Sequence, residues 1–146
     1  KVVTSVDLSV RPEGWAIPDE VAQVHGITTE NAMQVGIDES LVVEILLNMW
    51  RATQTRIAHN QQFDARIMRI ALKRFATDAV AEEWAEGDTA CTCQLARPIV
   101  ALPKNKLPNL GEAYEFFTGN KLQDAHTALA DTRACAEIYW HIQDRN

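Results

Sequence analysis

The feature that most constrains this chain is an alternation of short apolar runs with longer amphipathic ones. The positions Leu41, Val42, Ile45, Leu46, Met49 and Trp50 fall three and four apart behind a good N-cap residue, Asp38, so Glu39 to about Ala52 reads as an amphipathic helix. Its apolar face demands a sheet or another helix. Thr55 to Ala58 then reads as a short strand, and Asp64 to Phe75 repeats the helical spacing through Ile67, Ile70, Ala71 and Phe75. Asp88 to Leu95 reads as another short strand. Leu107 to Phe117 reads as a helix with Leu110, Ala113, Tyr114 and Phe117 on one side and Gly119 as its stop. A last helix runs from about Ala128 to Gln143, with Leu129, Ala136, Tyr139 and Trp140 marking its buried face.

Ahead of these lies less regular sequence. Val2 to Val10 alternates apolar and polar residues as a half-buried strand does, until Arg11-Pro12-Glu13-Gly14 breaks it. Ile17-Pro18-Asp19-Glu20 offers helix-start chemistry, but Val21 to Val24 supports one turn at most, and Thr29 to Ala32 reads as a polar turn. Strands interleaved with helices predict an α/β layer fold, with helices covering a mixed or parallel sheet. Pro98 to Pro108 reads as a loop, and neither a repeat nor a linker divides residues 1–146, so a single domain is expected.

Composition narrows the class. At 47% hydrophobic and 23% charged residues the chain is an ordinary globular domain, not a disordered or fibrous one. Its longest apolar stretch, Leu41 to Trp50, is broken by Glu44 and Asn48, so no membrane span is expected. With 14 Lys and Arg against 20 Asp and Glu, the net charge of −6 argues against a basic surface that coats nucleic acid. It leaves room for an enzyme whose site charge comes from metal ions. The three cysteines, Cys91, Cys93 and Cys135, contain no C-x-x-C pair, and a reducing, cytoplasmic compartment is the simplest reading. Cys91 and Cys93 read as two thiols on one face of a strand rather than as half a metal site. Trp15 and Trp84 read as exposed aromatics.

Two segments hold residues suited to chemistry. His59-Asn60-Gln61-Gln62-Phe63-Asp64 lies where a short strand hands over to a helix, which lifts polar side chains to the mouth of an α/β sheet. Asp64 there is a helix cap or a functional carboxylate, Asn60 a loop residue and Phe63 a hydrophobic anchor. In His126-Thr127-Ala128-Leu129-Ala130-Asp131, the Asp falls inside a helix otherwise rich in apolar residues. On a continuous helix His126 and Asp131 would point about 140° apart, so they converge only if His126 sits in the preceding loop, which Gln123-Asp124-Ala125 permits. His59 and His141 read as structural.

Taken together these segments resemble the DEDDh, DnaQ-like 3′–5′ exonucleases, the group that includes the proofreading subunit of bacterial DNA polymerase III, RNase T and oligoribonuclease. The resemblance covers nearly the whole chain in order. Arg11-Pro12 with Ile17-Pro18 and His25-Gly26-Ile27-Thr28 is similar to the family's "P…I…HGIT" segment, and Ala58-His59-Asn60…Phe63-Asp64 to its second motif. Leu107-Pro108-Asn109-Leu110 followed by His126-x-Ala128-x-x-Asp131 is similar to its third motif.

The resemblance implies a ribonuclease H-like α/β fold, a mixed sheet flanked by helices, and removal of nucleotides from 3′ ends with two Mg²⁺ or Mn²⁺ ions. Asp131 would bind the metal that activates water, Asp64 would hold the second, and His126 would act as general base. His25, Gly26, Ile27 and Thr28 would border the 3′-terminal nucleotide, with Asn60 and Phe63 beside it. The expected partner is a single-stranded DNA 3′ end, with RNA as a variant, and a DNA polymerase as a possible tether; the competing class is a non-catalytic binding module. The chain departs from the family at its start. The family's opening Asp-x-Glu does not occur between Lys1 and Arg11, and the expectation is that about twenty to thirty further residues upstream hold it and the first strands.

Overall fold

A computed structural model describes residues 2–123 and 125–145, which divide into two compact units, Lys1–Ala52 and Thr53–Asn146. In the first unit β1 (Val10–Arg11) runs parallel to β2 (Ile37–Asp38), with Val10 opposite Ile37 and Arg11 opposite Asp38. The alternation over Val2 to Val10 therefore yields a much shorter strand than expected. Among the described residues the ladder exists only where Ile37–Asp38 runs alongside, and Val2, Val3 and Val6 are exposed.

Helices α1 (Asp19–His25) and α2 (Thr29–Val35) replace the single turn expected over Val21 to Val24 and the polar turn expected at Thr29. Their ends are set by caps, not by an apolar stripe, which is why periodicity misses them. Gly26 closes α1 in the left-handed conformation at φ 76°, its N–H donating to Ala22 O at 2.7 Å. The Thr28 hydroxyl then opens α2 by accepting from the Asn31 N–H at 3.2 Å.

The expected amphipathic helix is α3 (Glu39–Arg51), which buries Val42, Val43 and Leu47. Asp38 precedes it but caps nothing, because its carboxylate is taken by Arg11, whose Nη1 donates to Oδ1 at 3.1 Å. The second arm of that guanidinium donates to Gly36 O at 3.0 Å. Here two backbones meet: a Cβ on Gly36 would stand 2.7 Å from Arg11 N and press on the Ala32 carbonyl oxygen.

In the second unit β3 (Arg56–Ala58) pairs in parallel with β4 (Thr89–Cys91), Ile57 facing Ala90, and the crossover between them holds α4 (Gln61–Phe75) and α5 (Asp78–Glu86). The sequence reading assigns nothing between Phe75 and Asp88. The nine-residue α5 is started by Thr77, which accepts from the Val80 N–H, and it buries only Ala81 and Trp84, too few positions to show a period. Trp84 is thus buried rather than exposed. Its indole N–H donates to Ala65 O at 2.9 Å and its ring lies 3.7 Å under the Arg56 guanidinium.

After β4 the chain enters α6 (Thr92–Val100), α7 (Leu110–Thr118) and α8 (Ala128–Gln143). The strand expected over Asp88 to Leu95 stops at Cys91, and the helix runs through Pro98 to Val100 where a loop is expected. Proline this close to a helix end removes one backbone bond, while Ala96, Ile99 and Val100 gain burial in the core. The start of α7 moves to Leu110, because Asn109 and Glu112 form a capping box there. Ala96, Ala113, Phe117, Ile138 and Ile142 form the core of this three-helix layer. On α8 the buried residues are Ala134, Cys135, Ile138 and Ile142, not the expected set; Leu129, Ala136 and Tyr139 are half-buried and Trp140 is exposed.

One side chain ties this layer to the strands. His59, at the end of β3, reaches the Pro108 carbonyl with Nε2 at 3.0 Å and the Thr92 hydroxyl with Nδ1 at 2.9 Å. A carbonyl only accepts, so Nε2 holds the proton and Nδ1 accepts from Thr92. Desolvation lowers the His59 pKa against the opposing pull of the Pro108 bond and the Asp131 charge, which keeps the ring neutral.

Two tests follow from this packing. Gly36→Ala should cost about 1–3 kcal/mol by overpacking, whereas Gly111→Ala, whose added Cβ meets only Asn109 Oδ1 at 3.5 Å, should cost nothing measurable in urea denaturation. Because the folded state excludes a proton from His59 that the unfolded chain accepts, stability should fall as pH drops below about 6.5. In His59→Gln, urea midpoints measured between pH 5 and 7.5 should lose that part of the slope.

Candidate active site

The path from β3 into α4 builds one side of the site. Asn60 takes the left-handed conformation at φ 65° and ψ 48°, which asparagine tolerates better than most residues, and the turn lets α4 start at Gln61 instead of Asp64. Asp64 is consequently not the cap expected of it; it lies at the end of the first helical turn of α4. The opposite side comes from α8. Asp131, Cys135 and Tyr139 follow one another at single-turn intervals, with Thr132, Ala136 and Trp140 beside them.

These two sides enclose a cavity of about 480 Å³ lined by residues that include Ile57, Ala58 and His59 of the β3 end, Leu110 of α7, and both Asp64 and Asp131. That volume is of the size that holds a small ligand. Among the described residues its walls are mostly apolar, its charges are two carboxylates, and its lining includes no Lys or Arg. Desolvation pushes the Asp64 carboxyl above its ordinary pKa, although a bond to its own backbone N–H partly opposes this.

His126 precedes the α8 N-cap Thr127, as convergence with Asp131 requires, although Asp124 in the segment before it lies outside the described residues. The link between the two is through the main chain: the His126 N–H donates to Asp131 Oδ1 at 3.3 Å, with His126 held at φ 78°. This left-handed conformation is uncommon for a residue other than glycine and is held by a turn that aims the amide at the carboxylate. The His126 side chain is exposed and is not among the residues lining the cavity. His59 does line it, but both its ring nitrogens are bonded, in agreement with a structural role. His141 stacks on Phe117 at 6.2 Å between ring centres, equally a packing role.

The other expected site residues lie outside the cavity lining. Asn60 is exposed, and Phe63 is exposed on the first turn of α4, with the Arg66 guanidinium 5.9 Å from its ring. His25, Gly26, Ile27 and Thr28 belong to the first unit, where they form the joint between α1 and α2. His25 Nδ1 accepts from the Ile27 N–H at 3.1 Å, and Gly26 and Thr28 serve as the caps described above. Sequence reasoning misses Thr92 and Cys135 at this site. Both are buried, and Thr92 Oγ1 stands 3.5 Å from Cys135 Sγ, so a short hydrogen-bond chain runs from α8 through α6 to His59.

The donor set suits a hard divalent cation in part. Two carboxylates share a cavity without a basic side chain, and one of them is already desolvated toward its neutral form, a penalty that a cation would relieve. Among the described residues no group of three or more His, Cys, Asp or Glu side chains comes together at metal-binding spacing. Asp64 and Asp131 would therefore supply one part of a coordination shell that Mg²⁺ commonly completes with water and phosphate oxygens.

No helix among the described residues is long and apolar enough to cross a membrane. None of the curated proteins compared with the chain matches it. A protein-family model for exonucleases of the RNase T type matches residues 2–139, a span that holds β1, both cavity carboxylates and His126. Among the described residues the eight α-helices and short parallel strands fit the ribonuclease H-like fold, and with that match over nearly its whole length the chain belongs to the RNase T exonuclease family.

Proposed function

We propose that the protein is a metal-dependent 3′–5′ exonuclease that removes nucleoside monophosphates from the 3′ end of single-stranded DNA in the cytoplasm. The observation that carries this reading is the meeting of Asp64 and Asp131, two carboxylates 67 positions apart in the chain, in one cavity. They would hold the divalent cations, Mg²⁺ or Mn²⁺. Bound there, the ions supply an activated water and a stabilised leaving oxygen for phosphodiester hydrolysis.

The chain's own residues do the rest. His126 is the general base of this reading and His59 is not. The His59 nitrogens are spent on Pro108 and Thr92, whereas His126 is exposed and is tied to Asp131 by its backbone N–H. Tyr139 and Trp140 form an aromatic wall on which a terminal base can stack. Phe63, exposed on the first turn of α4, offers a further apolar face, with Asn60 beside the nucleotide in this reading. With a net charge of −6 and no basic residue lining the cavity, the grip on DNA is weak without the metal ions. A distributive enzyme, or one held on DNA by a polymerase, follows from that.

Release of mononucleotides from a 3′-labelled strand, with and without EDTA, tests the reading. Asp131→Ala and Asp64→Asn should each lower the rate by more than about a hundredfold, beyond the usual cost of losing an outer-shell partner of a metal. An unaltered chain that binds DNA without metal-dependent release would identify a non-catalytic module instead. Faster release from RNA than from matched DNA would move the substrate to RNA. His126→Ala should lower kcat about 10²–10⁴-fold with little change in KM.

A further inference from the structure

Beneath the turn that starts α4 lies a pair of thiols that the nuclease reading does not use. Cys91 ends β4 and serves as the N-cap of α6, and Cys93 lies at the second position of that helix. Their sulfur atoms are 3.3 Å apart. A disulfide requires about 2.05 Å, so the two need close by little more than 1 Å. Cys91 is half-buried and Cys93 buried, while Cys135 is separately engaged with Thr92.

The two thiols differ in character. Burial opposes ionisation of both, but the backbone N–H groups of Gln61, Gln94 and Asn60 and the Cys93 thiol near the Cys91 sulfur together outweigh that penalty, lowering its pKa below the ordinary value. The Cys93 pKa is raised, by burial first and then by its bond to Cys91. Cys91 is thus placed between the starts of α4 and α6 as the attacking sulfur, and Cys93 beside it as the resolving one.

We propose that Cys91 and Cys93 are a redox modification site that closes to an intramolecular disulfide on exposure to a hydroperoxide. The Cys91 thiolate attacks one peroxide oxygen and the O–O bond breaks, giving Cys91 sulfenic acid and an alkoxide or hydroxide that takes a proton from water. Cys93 then gives its proton to solvent and its sulfur attacks the Cys91 sulfur. The S–O bond breaks, hydroxide leaves as water, and the S–S bond forms. Two electrons pass from the thiols to the peroxide, and a dithiol reductant reverses the change. A reversible bond of this kind is compatible with a reducing compartment. Closure also changes the sulfur that lies near the Asn60 and Gln61 amides, so it loosens the start of the helix that holds Asp64.

The test is made on the full chain and does not depend on nuclease activity. After brief treatment with hydrogen peroxide, intact mass should fall by about 2 Da, and alkylation in denaturant should then label Cys135 alone, leaving Cys91 and Cys93 linked. Dithiothreitol should restore the mass. Cys135→Ser should behave like the parent; Cys93→Ser, or Cys93→Ala if the serine fails to fold, should stop at a Cys91 sulfenic acid trapped by dimedone. Amide exchange over residues 60–64 should speed up about tenfold in the oxidised form, the effect of losing about one net hydrogen bond. A bond that includes Cys135, a link between two chains, or thiols that stay reduced in the native protein while reacting in urea would overturn the proposal.

Discussion

The second unit depends on the bonding of one imidazole. His59 stands where β3 ends, and its two nitrogens reach the Thr92 hydroxyl at the start of α6 and the Pro108 carbonyl ahead of α7. Thr92, with no exposed surface, also approaches Cys135 on α8. Four segments distant in the chain are therefore registered by polar contacts in a region where apolar packing alone would tolerate sliding. Leaving any one member without its partner costs about 1–3 kcal/mol of desolvation, so the arrangement holds as a set. The two cavity carboxylates inherit this precision. Asp64 leaves the strand end one turn after His59, and Asp131 lies one turn before Cys135.

The same bonding decides which histidine is available for proton transfer. A neutral His59 beside Asp131 looks at first like a base poised by an acid, but the Asp131 charge is the least of the influences on it and burial the greatest. With one nitrogen donating and the other accepting, the ring has no lone pair to offer water. His126 reaches Asp131 through a backbone amide instead, which leaves its imidazole out of the hydrogen-bond framework of the fold. Under the nuclease reading, a group that exchanges protons in each turnover is better kept outside such a framework, since every change of charge would otherwise strain the packing.

How much of this was legible in the sequence follows from the kind of signal each element emits. α3 and α8 are long, with apolar faces that repeat over three or more turns, and both match their expected spans closely. α1, α2 and α5 are short and bury at most two residues each, so their signals are caps: Gly26, Thr28 and Thr77. Cap residues are visible in the sequence, but Thr and Gly are common enough that only structure shows which of them act. The reading of α8 placed its ends correctly and its buried face wrongly, because the helix has two apolar sides. Ile138 and Ile142 face the core, while Ala136, Tyr139 and Trp140 face the cavity, and a count of apolar positions does not separate core from binding wall. For the site, family motifs pointed to Asp64, Asp131 and His126, whereas Thr92 and Cys135 join it only through contacts between segments far apart in sequence.

Charge unites the fold with the proposed chemistry. The chain is acidic overall, its cavity holds two carboxylates and, among the described residues, no basic side chain, and one of those carboxyls is destabilised in its charged form by burial. A phosphodiester brought to such a site meets repulsion unless cations intervene. Under the nuclease reading, the divalent ions are therefore as much the means of holding DNA as of cleaving it, because they reverse the sign of the only charged surface in the cavity. The short chain segments that fix Asp64 and Asp131 then serve one requirement. They bring Asp64 and Asp131 to one cavity, with His59 and its partners fixing the segments from which the two carboxylates project.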